Sequence, residues 1–147
     1  MMLCEKYKEQ FLQPEVRCDT YIGIEIKQVW FAELQLLEKF IDVCNKHGLS
    51  YQLVGGSLLG AIRHKGFIPW DDDVDVGMLR PDYDRFVQLA KNELEAPFFL
   101  QTPLTDPGRN IDYVQIRNSA TTAIDLRYVD DHNTFNQGIF IDIFPID

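Results

Sequence analysis

From Ile24 to His47, apolar residues return every three or four positions, at Ile26, Val29, Trp30, Leu34, Leu37, Phe40, Ile41 and Cys44. That period predicts one long helix, ended by Gly48, whose stripe faces a core rather than a cofactor. Tyr51 to Val54 is a short apolar-rich run ending in glycine, and Ser57 to Arg63 returns to helical spacing, so this segment reads as strand, tight turn, helix. Asp73, Val74, Asp75 and Val76 alternate, which in a strand sends both carboxylates to one face and both valines to the core. A second helix is predicted over 81–92, with strands over 98–101, 113–117, 121–126 and 139–144. Residues 130–137 are polar and read as a loop, and residues 1–20 as a peripheral arm ahead of one domain over 21–147. Helix and strand alternate, so the expected class is α/β or α+β.

The chemistry concentrates between Val54 and Val76. Gly55 and Gly56 can take positive φ and carry no side chain to block a ligand, while Ser57 is placed to cap the following helix, whose unpaired N–H groups make an anion site. Asp73 and Asp75, carried near the interior by their valine neighbours, repel one another unless a cation sits between them. The surrounding donors are oxygens, with no Cys or His at metal-site spacing, which favours Mg²⁺ or Mn²⁺ over Zn²⁺. An EF-hand starting at Asp71 fails, because its sixth position is Val76 rather than glycine and its twelfth is Asp82 rather than glutamate. An aspartyl-phosphate phosphatase also fits poorly, since Gly77 stands where threonine belongs. A metal-dependent glycosyltransferase shares the Asp-x-Asp pair but does not need the upstream Gly-Gly-Ser.

The run Gly55-Gly56-Ser57-Leu58-Leu59-Gly60-Ala61-Ile62-Arg63-His64-Lys65-Gly66-Phe67-Ile68-Pro69-Trp70-Asp71-Asp72-Asp73-Val74-Asp75-Val76 resembles the LicD family. The likeness continues through Met78, Arg80, Asp82 and Tyr83 and resumes at Gly138 to Asp147. The resemblance implies a nucleotidyltransferase-like mixed sheet flanked by helices, with Gly55, Gly56 and Ser57 near phosphates and Asp73 and Asp75 on the metal. It also implies a third acidic residue on a later strand, which Asp142 fits. Residues 139–143 alternate, with Ile139, Ile141 and Ile143 on one face and Asp142 on the other; a carboxylate in so apolar a strand needs a partner, either the metal or a basic residue such as Arg63 or Arg117.

The activity implied is transfer of phosphocholine, or a related phospho-alcohol, from CDP-choline or a similar donor to a hydroxyl of a cell-surface glycan such as teichoic acid or lipopolysaccharide. A noncatalytic nucleotide or metal sensor is the other class to separate from it. Family members generally continue beyond the strand bearing the third carboxylate, so the resemblance also implies a C-terminal truncation. Arg63, His64 and Lys65 close the helix that Ser57 begins, where helix capping competes evenly with phosphate contact. Arg80 is placed to reach a ligand, Trp70 reads as a packed anchor of the turn, and Asp71 and Asp72 order the loop.

Composition narrows the classes. A chain of 147 residues, 46% hydrophobic and 25% charged, supports one core. Its net charge of −9 argues against bulk electrostatic binding of nucleic acid or anionic membranes. Cys4, Cys18 and Cys44 lack paired spacing and read as reduced thiols of a cytoplasmic protein. No apolar run approaches the ~20 residues of a membrane span, so membrane contact would be peripheral, at the inner face.

Overall fold

The computed structural model describes residues 2–109, 111–124, 129 and 134–147. Two short helices, α1 (Leu3–Lys6) and α2 (Lys8–Phe11), and a hairpin of β1 (Glu15–Arg17) and β2 (Thr20–Ile22) precede the long α3 (Ile24–His47). Lys27 ties the hairpin to α3 through a 2.7 Å contact with Glu15. The rest runs β3 (Gln52–Leu53), α4 (Gly55–Arg63), β4 (Asp75–Leu79), α5 (Arg80–Glu93), β5 (Phe98–Gln101), β6 (Val114–Asn118) and β7 (Ile139–Ile146).

These last strands form one mixed sheet in the order β3-β4-β7-β6-β5, with β4 and β7 parallel and the other neighbours antiparallel. Alternation decides its faces. Val74, Val76, Met78, Val114, Ile116, Ile141 and Ile143 enter a core with Leu36, Phe40 and Val43 of α3 and Phe86 and Ala90 of α5. Among the described residues, no helix is long and apolar enough to cross a membrane.

The expected mixed sheet with flanking helices is present, and α3 stops at Gly48, which takes φ 63° as the residue past a helix end often does. The stripe on α3 is more divided than its spacing suggested. Leu36, Phe40 and Val43 enter the sheet core, while Leu34, Leu37 and Ile41 line an apolar groove of about 530 Å³ under α1 and α2, Leu37 and Ile41 also packing against the margin of that core. A helix packed on two sides hides this division, because both stripes repeat with the same period.

The strand expected over 121–126 does not form across 121–124, and its last two residues lie outside the described part, as do residues 130–133 of the expected loop. Asn118 ends the ladder there, with its carbonyl accepting from the Thr121 hydroxyl at 2.7 Å and the Thr121 N–H at 3.0 Å. Those bonds turn the chain. The strand expected from Asp73 begins instead at Asp75, though Val74 still accepts a bond from the Asp142 N–H at 2.9 Å and is buried as its alternation with Val76 requires.

Candidate active site

Parallel pairing of β4 with β7 sets Asp75 directly beside Asp142, and antiparallel pairing of β7 with β6 sets Asp142 beside Gln115. Both aspartates therefore project from the sheet face opposite the isoleucine core. Gln115 donates from Nε2 to Asp142 Oδ1 at 2.6 Å, and its own Oε1 accepts from Arg117 at 2.7 Å. Arg117 spends its remaining reach on Gln101 Oε1 at 2.5 Å and the Gly138 carbonyl at 2.7 Å, and it stacks 4.4 Å above Phe140. Asp142 thus has a neutral amide as its immediate partner, with the basic charge one residue behind it.

The turn before α4 closes on the same aspartates. Gly55 takes φ 55°, a conformation that strains any residue with a side chain, and a Cβ there would also crowd Asp75 Oδ2 at 3.1 Å. The Ser57 hydroxyl accepts the Asp75 N–H at 2.8 Å. This differs from the expected cap: α4 starts at Gly55 after Val54, which places Ser57 in the first turn, where it fastens the helix to β4. Gly56 and Ser57 share a small pocket of about 110 Å³ with Asp71 and Asp73.

A cleft of about 520 Å³ opens beside this pocket and is lined by Glu33, Asp72, Asp73 and Asp142 and by Arg109, Tyr113, Gln115 and Arg117. Burial and then crowded negative charge shape its electrostatics. Burial, then Asp75, Asp71 and Asp72, push Asp73 up to about 6, although its exposed surface lets water screen part of the repulsion. Asp75 is pushed up by burial and then by Asp142, and Asp142 by burial, against the pull of its Gln115 bond. Glu33 is pushed up to about 9 by burial and then by Asp73. Arg117 moves down to about 10, through burial and the neighbouring Arg109.

The donor set fits a hard divalent cation in kind, because it is all oxygen and Glu33, Asp73, Asp75 and Asp142 are each pushed up beside other carboxylates. Among the described residues, no group of three or more His, Cys, Asp or Glu side chains is already arranged to hold a metal ion.

The structure thus gathers Gly55, Gly56, Ser57, Asp73, Asp75 and Asp142, and leaves the expected basic residues Arg63, His64, Lys65 and Arg80 elsewhere. Arg63 donates to His64 at 2.9 Å at the far end of α4, roughly 12 Å along the helix from Gly55. Lys65 lines a separate hollow with Arg17 and Lys27. Arg80 grips Asp147 with two bonds of 2.7 and 2.9 Å, beyond the end of β4 and roughly 16 Å along the strand from Asp75.

Trp70, expected to pack, is 65% exposed, with its ring edge-on to that of His64 at 6.0 Å between centroids. The loop is anchored by Trp30 instead, which stacks on Phe67 at 4.7 Å and donates to the Asp71 carbonyl at 2.8 Å. The cleft also takes in Glu33, Tyr113 and Gln115, which no motif marks. Gln115 was within reach of pattern, since Gln115 and Arg117 alternate with Val114 and Ile116 and so share the face of Asp142. Glu33 carried no such signal, as one acidic residue on a long helix usually faces water.

The family model described as LicD/FKTN/FKRP, nucleotidyltransferase domain, matches residues 48–146. Lipopolysaccharide cholinephosphotransferase LicD of Haemophilus influenzae is 49% identical over 69 residues, covering 47% of this chain and 26% of that protein. Ribitol 5-phosphate transferase FKRP of Homo sapiens is 49% identical over 53 residues, covering 36% of this chain and 11% of that protein. An uncharacterized protein of Rickettsia typhi is 34% identical over 84 residues, covering 53% of this chain and 27% of its own length. The chain therefore spans about a quarter or less of the curated relatives it matches.

Proposed function

Because the chain belongs to the LicD/FKTN/FKRP nucleotidyltransferase family, we propose that it supplies the phosphate-handling core of a metal-dependent transferase. That enzyme moves phosphocholine, or a related phospho-alcohol, from a CDP-alcohol to a hydroxyl of a cell-surface glycan. The names of two relatives specify different alcohols, choline and ribitol, joined in each case to phosphate. What they have in common is the phosphate, and the observation that carries the reading is the pairing of Asp75 with Asp142 beneath the Gly55 turn.

Asp73, Asp75 and Asp142 would hold Mg²⁺ or Mn²⁺, which supplies positive charge against both the carboxylates and a nucleotide diphosphate. The chain's own residues do the rest. Gly55 keeps the floor of the turn open, and Ser57 fixes the backbone of Asp75 so that its carboxylate holds one direction. Gln115 does the same for Asp142 through Oδ1, leaving Oδ2 to orient an acceptor hydroxyl and take its proton. The hydroxyl oxygen bonds to the phosphorus next to the alcohol, the bond from that phosphorus to the bridging oxygen breaks, and CMP leaves. A cytoplasmic setting, at the inner face of the membrane, agrees with three free cysteines.

Thermal unfolding with and without Mg²⁺ tests the reading, with CDP-choline and UDP-glucose as ligands and the Asp73→Asn, Asp75→Asn double variant as control. A ligand at ~100 times its Kd adds about 2.7 kcal/mol. CDP-choline should stabilise only the wild type and only with metal. Stabilisation by UDP-glucose instead would favour sugar transfer, and no response to either would refute the proposal for this chain.

A further inference from the structure

We infer that Glu33, carried by α3 rather than by the aspartate motif, is a further ligand for the divalent cation of this cleft. The inference rests on the metal reading above and adds a residue to it. Glu33 is 2% exposed, and its Oε2 is buried without a hydrogen-bond partner among the described residues. It lines the same cleft as Asp73 and Asp142, and those two and Asp72 are among the charges that raise its proton affinity.

Burying a carboxyl without a partner is costly, and such groups are kept where something completes them. The cleft's two arginines do not: neither bonds Oε2, the Arg117 guanidinium being committed to Gln101, Gln115 and the Gly138 carbonyl and that of Arg109 lying over the Phe135 ring. A neutral hydroxyl ligand would accept or donate one bond and leave the crowd of carboxylates as repulsive as before. A divalent cation answers both the open Oε2 and the repulsion from Asp73 and Asp142, and its preference for several oxygen ligands suits a fourth carboxylate.

Mn²⁺ titration calorimetry on protein stripped with EDTA tests the assignment, with urea unfolding of the metal-free protein beside it. Glu33→Gln keeps the shape of the protonated acid and should weaken Mn²⁺ binding about tenfold or more while leaving metal-free stability equal or higher. Glu33→Asp, charged but shorter, should fall between the two. Glu33→Met fills the space without charge and carries the same expectation as the amide, so a folding failure of one variant leaves the test standing. If these variants bind Mn²⁺ within about twofold of wild type, Glu33 is not a ligand. If the wild type binds no Mn²⁺, the metal reading itself fails, and this inference falls with it.

Discussion

Metal-free protein should lose stability as pH rises through the neutral range. Glu33 is 2% exposed and held up at about 9, against an ordinary value of 4.5. Between those values the native chain keeps a proton that the unfolded chain has released, so each pH unit costs about 1.4 kcal/mol of stability. The other shifted groups act mainly outside the window from about pH 7 to 8.5. Asp73, pushed up to about 6, adds to the fall chiefly below it. His64, pushed down from 6.5, works in the opposite sense at its lower edge. Cys4 and Cys44, both pushed up to about 12, act chiefly above it.

The worked loss across that window is about 2 kcal/mol, or roughly 7 °C in Tm for a domain of this size. Urea unfolding in EDTA at about pH 7 and 8.5 measures it, and Glu33→Gln, which has no proton to lose, should be nearly flat. Equal wild-type stability at both pH values would refute the reasoning. So would an undiminished fall in Glu33→Gln.

Ser57→Ala leaves the Asp75 N–H without its 2.8 Å acceptor and should cost about 1–2 kcal/mol in urea unfolding, together with a smaller Mg²⁺-dependent shift with CDP-choline. Gly60→Ala places a Cβ 2.6 Å from the Gly66 carbonyl and 3.2 Å from the Ile68 nitrogen, backbone atoms that cannot swing aside, and should lower stability by about 1–3 kcal/mol. Trp30→Phe loses the bond that holds the Asp71 carbonyl and should cost about 1 kcal/mol, whereas Trp70→Ala should stay within about 0.5 kcal/mol of wild type by the same urea assay. Arg80→Ala should leave the CDP-choline thermal shift unchanged, because Arg80 is spent on Asp147 at the far end of β4.

Local pattern carried the parts of the site that are contiguous in sequence. The glycines, Ser57 and the aspartate pair sit in one run, and alternation around Ile141 and Ile143 placed Asp142 on the outer face before any pairing was known. What stayed hidden depends on packing. Ser57 looked like a cap because its partner, the Asp75 N–H, belongs to a strand 18 residues away. Trp70 and Trp30 exchanged the expected anchoring role, since a tryptophan after a proline gives no sign of which neighbour will cover it. Arg63, Lys65 and Arg80 attracted attention by charge, but helix length and strand rise carry them away from the carboxylates. Glu33 became visible only when α3 was laid against the cleft.

The parallel pairing of β4 with β7 also sets when the site can exist as the chain is made. Asp75 and Asp142 are separated by almost half the chain, and bringing them together closes a long loop whose entropy must be repaid by contacts made late. During synthesis, β4 therefore waits with one edge unpaired until β7 has left the ribosome, and an unpaired edge is where a nascent chain meets the wrong partner. Sheet closure then forces like charges into neighbouring positions at the final step. If these carboxylates hold a divalent ion as proposed, its concentration during synthesis should influence the yield of folded chains.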